Sequence, residues 1–164
     1  MVEISALVLR IATSELNVIV HGETGLDAIA RAIHARSARR DAPLIACACG
    51  ALAELPALPD RGTVLLDDVD ALAPALQARL AHATTRARFL STTRVELRVH
   101  LRHDLYYRLD GITLVVPPVD ERARIVAALA RCAGNQTRAA KLLGMSRATL
   151  ATRLALLDIP RPRK

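Results

Sequence analysis

GNQTRAAKLLGMSRATLATRL, residues 134–154, reads as two short helices separated by a tight turn. Asn135 and Thr137 offer capping oxygens to the first helix, RAAKLL supplies its body, Gly144 marks the turn, and Ser146 opens a second helix that begins RATLATRL. Cationic and hydroxyl side chains are loaded onto that second helix. This is the grammar of a helix-turn-helix, whose second helix enters the major groove of a duplex. The stretch predicts a small all-α unit at this end, with double-stranded DNA as its partner.

Charge sharpens that expectation. The 164 residues contain 23 Lys and Arg against 16 Asp and Glu, a net charge of +7. Residues 119–164 hold ten of those bases and only three acids (Asp120, Glu121 and Asp158), so residues 1–118 hold 13 of each and are neutral. An excess confined to one end is the footprint of a polyanion partner, whereas a merely solvated surface would spread it.

Other function classes are narrowed by composition. A chain of this length, 52% apolar, can bury one modest core plus a small appended module. No apolar run approaches the roughly 18 residues of a membrane span. The start, MVEISALVLRIATSE, carries acids and lacks a basic leader with a small-residue cleavage site, so a cytoplasmic protein without membrane contact is expected. Three cysteines, Cys47, Cys49 and Cys132, show no CxxC spacing and are read as structural thiols, with Cys47 and Cys49 placed on opposite faces of a strand. Aromatic content of 2% argues against single-strand stacking platforms.

Residues 1–118 alternate short apolar runs with helical patterns. Strands are expected at 17–21, 44–49, 63–66, 87–92 and 112–116, and helices at 5–13, 26–38, 70–83 and 101–109. Such alternation predicts an α/β unit with a five-stranded, mostly parallel sheet flanked by helices. Pro117-Pro118 ends the last strand and sets a boundary, giving domains 1–118 and 119–164.

In order along the chain stand GETG followed by IARAIH, TVLLDDVDALAPALQARL, RFLSTT, LRHDLYYRLDGITLVVPPVDER and GNQTRAAKLLGMSRATL. This series resembles the NtrC-like, sigma-54-dependent transcription activators: a truncated, degenerate AAA+ domain joined to a Fis-type helix-turn-helix. Several of the family's working parts are missing. A phosphate loop needs G-x-x-x-x-G-K-[ST], and counting from Gly22 puts Asp27 at the second Gly, Ala28 at the Lys and Ile29 at the hydroxyl. Gly22 and Gly25 retain the role of a strand-to-helix turn. Leu65-Leu66-Asp67-Asp68 resembles the strand-end acidic motif, but Asp68 is one methylene shorter than the family's Glu, and Arg94 stands where the family has a sensing Asn. Only GALAELPALPDRG separates the second and third strands, leaving no room for the family's GAFTGA loop, and PPVDERARIV runs into the helix-turn-helix without a helical lid. No cofactor, no metal and no enzymatic activity are expected.

Arg102 and Arg108 match the two arginines that the family presents to a neighbouring subunit, which the resemblance makes oligomer contacts; with no phosphate to meet, helix-surface pairing is the other reading. Tyr106 and Tyr107 read as packing residues. In the terminal unit, Ile125 and Leu129 form a stripe suited to packing and dimer contact, and Leu142, Leu143, Met145, Leu150, Leu154 and Leu157 are expected to bury the two reading helices. The resemblance assigns Thr137 and Arg138 to backbone contacts and Arg147, Thr149 and Arg153 to the groove, with Ser146 at the cap. Arg161, Arg163 and Lys164 in the tail PRPRK add phosphate affinity, or form a solvated tail. Ala151 and Thr152 replace the bulky or basic residues common in Fis-type proteins, which lowers the expected sequence preference. A DNA-binding regulator acting as a homodimer or higher oligomer follows. The rival is an inactive subunit that modulates a full-length NtrC-like activator or the transcription machinery.

Overall fold

Along the central strands, neighbouring apolar residues face opposite layers, and this splits the core of the first unit in two. A computed structural model describes residues 4–118 and 120–160. The chain divides into two compact units, Met1–Pro118 and Val119–Lys164. In the first, β1 (Val18–His21), β2 (Leu44–Ala48), β3 (Thr63–Asp67), β4 (Arg88–Thr93) and β5 (Ile112–Val115) form one sheet in the order β2-β3-β4-β1-β5, and every pairing is parallel. Val18, Val20, Leu65, Leu90 and Leu114 face α1 (Ile4–Ala12) and α2 (Leu26–Ala35). Ile19, Val64, Leu66 and Phe89 face the other layer, made by α3 (Pro74–His82), α4 (Leu97–His100) and α5 (His103–Leu109). Strands covered on both faces need continuous apolar runs, which is why VIV and TVLL lack polar alternation.

Polar groups inside this unit serve as fasteners. Arg88, 1% exposed, donates from Nε to the Leu16 carbonyl at 2.8 Å and from Nη2 to the Ile11 carbonyl at 3.0 Å, tying the end of α1 to β4. Asn17 bridges β4 and α5: Oδ1 accepts from the Phe89 N–H and Nδ2 donates to the Arg108 carbonyl, both at 2.8 Å.

Several expectations are corrected. Cys47 and Cys49 lie in the same core cluster and not on opposite faces, since side chains two residues apart in extended chain return to one side. The helix expected over 70–83 is broken: Val69–Ala71 is a single 3-10 turn, and α3 starts at Pro74 because the proline ring forces Ala73 into an extended conformation, with ψ of 140°. The helix expected over 101–109 begins only at His103, after Leu101 and Arg102 take extended ψ values of 152° and 140°. α2 stops at Ala35, where the Ser37 hydroxyl takes the His34 carbonyl at 2.8 Å and competes with the helical ladder.

The second unit is three helices, α6 (Glu121–Arg131), α7 (Gln136–Leu142) and α8 (Arg147–Leu156). Ile125, Ala128, Leu129, Ala139, Ala140, Leu150, Leu154 and Ile159 form its core. No helix among the described residues is long and apolar enough to cross a membrane.

Candidate nucleic-acid interface

The reading helices are set by their ends. Asn135 Oδ1 accepts from the Arg138 N–H at 3.0 Å and starts α7, and Ser146 Oγ accepts from the Thr149 N–H at 3.0 Å and starts α8. Thr137, expected to cap, lies inside α7 and makes no such bond; one oxygen at Asn135 fills that role. The turn between them is closed by two backbone bonds, Gly144 N–H to Lys141 at 3.2 Å and Met145 N–H to Ala140 at 3.0 Å. That pair is a Schellman motif, and it requires the left-handed φ of +71° at Gly144. The same motif closes α6 through Ala133 and Gly134 and α8 through Asp158 and Ile159, so Ala133 and Asp158 hold φ of 49° and 48° without being glycine. Ile159 then packs on Leu154 in the core, the apolar contact such a terminus favours.

Burial on one side of each helix leaves the opposite side to solvent. Thr137, Arg138, Ser146, Arg147, Thr149 and Arg153 are all exposed. Arg153 is held by Glu121 on α6, Nε to Oε1 at 3.4 Å, and Arg122 donates to the carbonyls of Leu157 at 3.3 Å and Asp158 at 3.5 Å. Sequence separations of more than 30 residues hid both links. Ile125 and Leu129, expected on a contact stripe, are 1% and 6% exposed and belong to the unit's own core. The large apolar side chain that α6 exposes is that of their neighbour Val126, beside the exposed Ala123, Ala127 and Ala130. Leu142, expected to be buried, is also exposed, because α7 turns Ala139 and Ala140 inward. Arg161, Arg163 and Lys164 lie outside the described residues.

The strand ends of the first unit carry the other set of sequence candidates. Gly25, with φ of +72°, starts α2, and a side chain at Gly22 would meet the Val116 carbonyl at 2.8 Å. Asp27 sits in the first turn of α2, where the helix dipole favours it, and pairs with Arg31 at 3.0 Å. Each acid of the cluster has one partner within the unit: Thr92 Oγ1 donates to Asp67 Oδ1 at 2.6 Å and accepts from the Asp68 N–H at 2.9 Å, Thr93 Oγ1 donates to Asp70 at 2.7 Å, and Arg94 approaches the Asp68 carboxylate at 3.7 Å, both side chains exposed. No group of three or more His, Cys, Asp or Glu poised for a metal occurs among the described residues.

Arg102 and Arg108 are also engaged within the unit. Arg102 makes a two-pronged pair with Asp104, 3.2 and 2.9 Å, whose hydrogen bonds hold the Asp104 carboxyl below its usual range. Arg108 donates to the carbonyls of Ala81, at 2.8 Å, and Ala83, closing the end of α3, while its guanidinium lies 5.6 Å from the Phe89 ring centre. Burial pushes the Cys49 thiol up to about 12, an inert core thiol.

Comparison with known proteins agrees with both halves. Residues 1–58 match the sigma-54 interaction domain, and residues 119–156 match the bacterial regulatory proteins of the Fis family. The Nif-specific regulatory protein of Azospirillum lipoferum is 30% identical over 177 residues, covering 80% of this chain and 28% of that protein. The anaerobic nitric oxide reductase transcription regulator NorR of Escherichia coli is 32% identical over 189 residues, covering 87% and 37%. The chain thus spans about a third of the length of these relatives. Both alignments are longer than the chain itself, so the relatives carry internal residues that this chain lacks. The fold is that of NtrX from Brucella abortus solved in complex with ADP, with a TM-score of 0.60 at 16% identity over 95% of this chain and 67% of that one. The chain is a member of the NtrC-like, sigma-54-dependent activator family, joining a sigma-54 interaction-domain region to a Fis-type helix-turn-helix.

Proposed function

We propose that this protein is a DNA-binding transcriptional regulator that works through α7 and α8, without nucleotide hydrolysis and without remodelling of a sigma-54 polymerase. The observation that carries this reading is the capped helix-turn-helix, whose exposed Thr137, Arg138 and Arg147 belong to the unit that holds the whole net charge. Thr137 and Arg138 take phosphates, and Arg147, Thr149 and Arg153 take the groove. Arg161, Arg163 and Lys164 add phosphate contacts, each raising the salt dependence of binding. Residues 1–118 are a degenerate AAA+ domain serving as a scaffold, with residues 119–164 as the reading head. Supporting that division, Ala28 stands where a lysine would meet phosphate, and Asp67, Asp68 and Asp70 are matched by internal partners. Association of two or more copies uses the apolar surface around Val126, Ala130 and Pro160.

Two measurements on the full chain test the proposal. Titration with duplex DNA at low salt gives binding that weakens steeply as salt rises. Thermal melting with magnesium and millimolar ATP gives no shift, because only a ligand of the native state raises the midpoint. A saturable rise overturns the nucleotide-free reading. Absence of duplex binding overturns the regulator reading and leaves the inactive-subunit role, whose partner is a full-length activator.

A further inference from the structure

Of the two arginines of α8, Arg147 alone has no side-chain partner among the described residues, while the exposed Arg153 makes one ion pair through Nε and keeps its other N–H groups. Ser146 Oγ is occupied by the Thr149 N–H and by the Thr149 hydroxyl, 2.8 Å away. The Thr152 hydroxyl donates to the Ala148 carbonyl at 3.1 Å, and Arg153 is paired with Glu121. Arg147 is exposed, and among the described residues nothing pairs with its guanidinium. Thr152 lies two positions from Leu150 and two from Leu154, both buried, so at about 100° per residue it projects directly away from the core. Ala148, exposed, precedes it by four residues on the same ridge.

With its hydroxyl committed to the backbone, Thr152 has a methyl group left to offer a base edge, as does Ala148. In the major groove a methyl matches the C5-methyl of thymine, and an arginine matches O6 and N7 of guanine. Adenine readout calls for Asn or Gln and cytosine readout for Asp or Glu, and α8 contains none of these. We infer that α8 reads DNA by methyl contact: Thr152 and Ala148 lie against thymine methyl groups, and Arg147 at the helix start takes a neighbouring guanine. This rests on the proposed docking of α8 in the major groove.

The test uses the full chain to select duplexes from a random-sequence pool and then remakes the selected duplex with deoxyuridine in place of thymidine. That exchange deletes the methyl and keeps every hydrogen-bonding group. Selected sequences should place guanine beside thymine, and the uracil duplex should bind about fourfold more weakly for each contacted thymine, the worth of one buried methyl. Thr152→Ser keeps the backbone bond and removes the methyl, so this variant should lose the discrimination at one position. Equal affinity of the unmutated chain for the thymine and uracil duplexes overturns methyl readout while leaving DNA binding in place, and full discrimination by Thr152→Ser overturns the assignment to Thr152. Failure to enrich any duplex at low salt overturns the underlying DNA-binding reading instead.

Discussion

The strand ends of the first unit and the helix starts of the second present similar side chains, carboxylates, hydroxyls and arginines near element termini, with opposite outcomes. At the strand ends, Asp67 is met by Thr92, Asp70 by Thr93 and Asp68 by Arg94. At α7 and α8, the Asn135 and Ser146 oxygens are taken up by the first turns of their own helices, leaving Arg138 and Arg147 turned to solvent. A polar group already paired has little to give a ligand, because binding must first break what it has. Motif resemblance therefore weighs less than whether the neighbours leave a group unsatisfied.

The largest effect that would sharpen this contrast is Leu150→Ala. Leu150 is fully buried in a three-helix core, and truncation there costs about 2–5 kcal/mol, enough to unfold so small a unit. Denaturant melting should show the second unit lost and the first unit's transition unmoved, with duplex binding abolished. A single shifted transition would mean that the two units do not unfold independently. Next comes Arg147→Ala, expected to cost about 1–3 kcal/mol of duplex binding, as for a lost base contact, with no change in melting. Unchanged affinity in a low-salt titration would break the comparison by making the open helix start as idle as the strand ends.

A smaller effect of the opposite sign is expected at Ala133, held at φ of 49° by the Schellman bonds that end α6. Ala133→Gly should stabilise the second unit by about 1 kcal/mol, since the left-handed conformation penalises Cβ. The melting midpoint reads this directly. The smallest is a pH effect confined to the first unit. His34, buried and bonded through Nδ1 to the Thr63 hydroxyl at 2.9 Å, has its pKa lowered by burial and by the nearby Arg88 charge. It stays neutral in the fold while the unfolded chain takes up a proton below about pH 6.5, so stability is full above that value and falls as pH drops toward the folded pKa. His34→Gln should flatten that slope in the first unit's transition and leave the second unit's unchanged.

Much of this architecture is legible in the sequence. The five strands lie within a residue or so of expectation because runs such as VIV and TVLL are long enough to be covered on both faces and too short for helices. α7, Gly144 and α8 were legible because capping and Schellman closure are local events, settled within five residues. Helix breaks at Pro74 and His103 were harder, since the apolar periodicity continues across them while the backbone does not.

Local chemistry in the sequence thus determined the α/β alternation, the helix-turn-helix and the confinement of charge to residues 119–164. Tertiary structure alone decided the strand order, the placing of Ile125 and Leu129 in the core with Val126 outside, the inward turn of Arg108 onto the end of α3, and the pairing of Arg153 with Glu121. Each of these depends on which residues, distant in sequence, the packed elements bring within hydrogen-bonding or van der Waals distance, and periodicity along one element carries no information about its neighbour across the core.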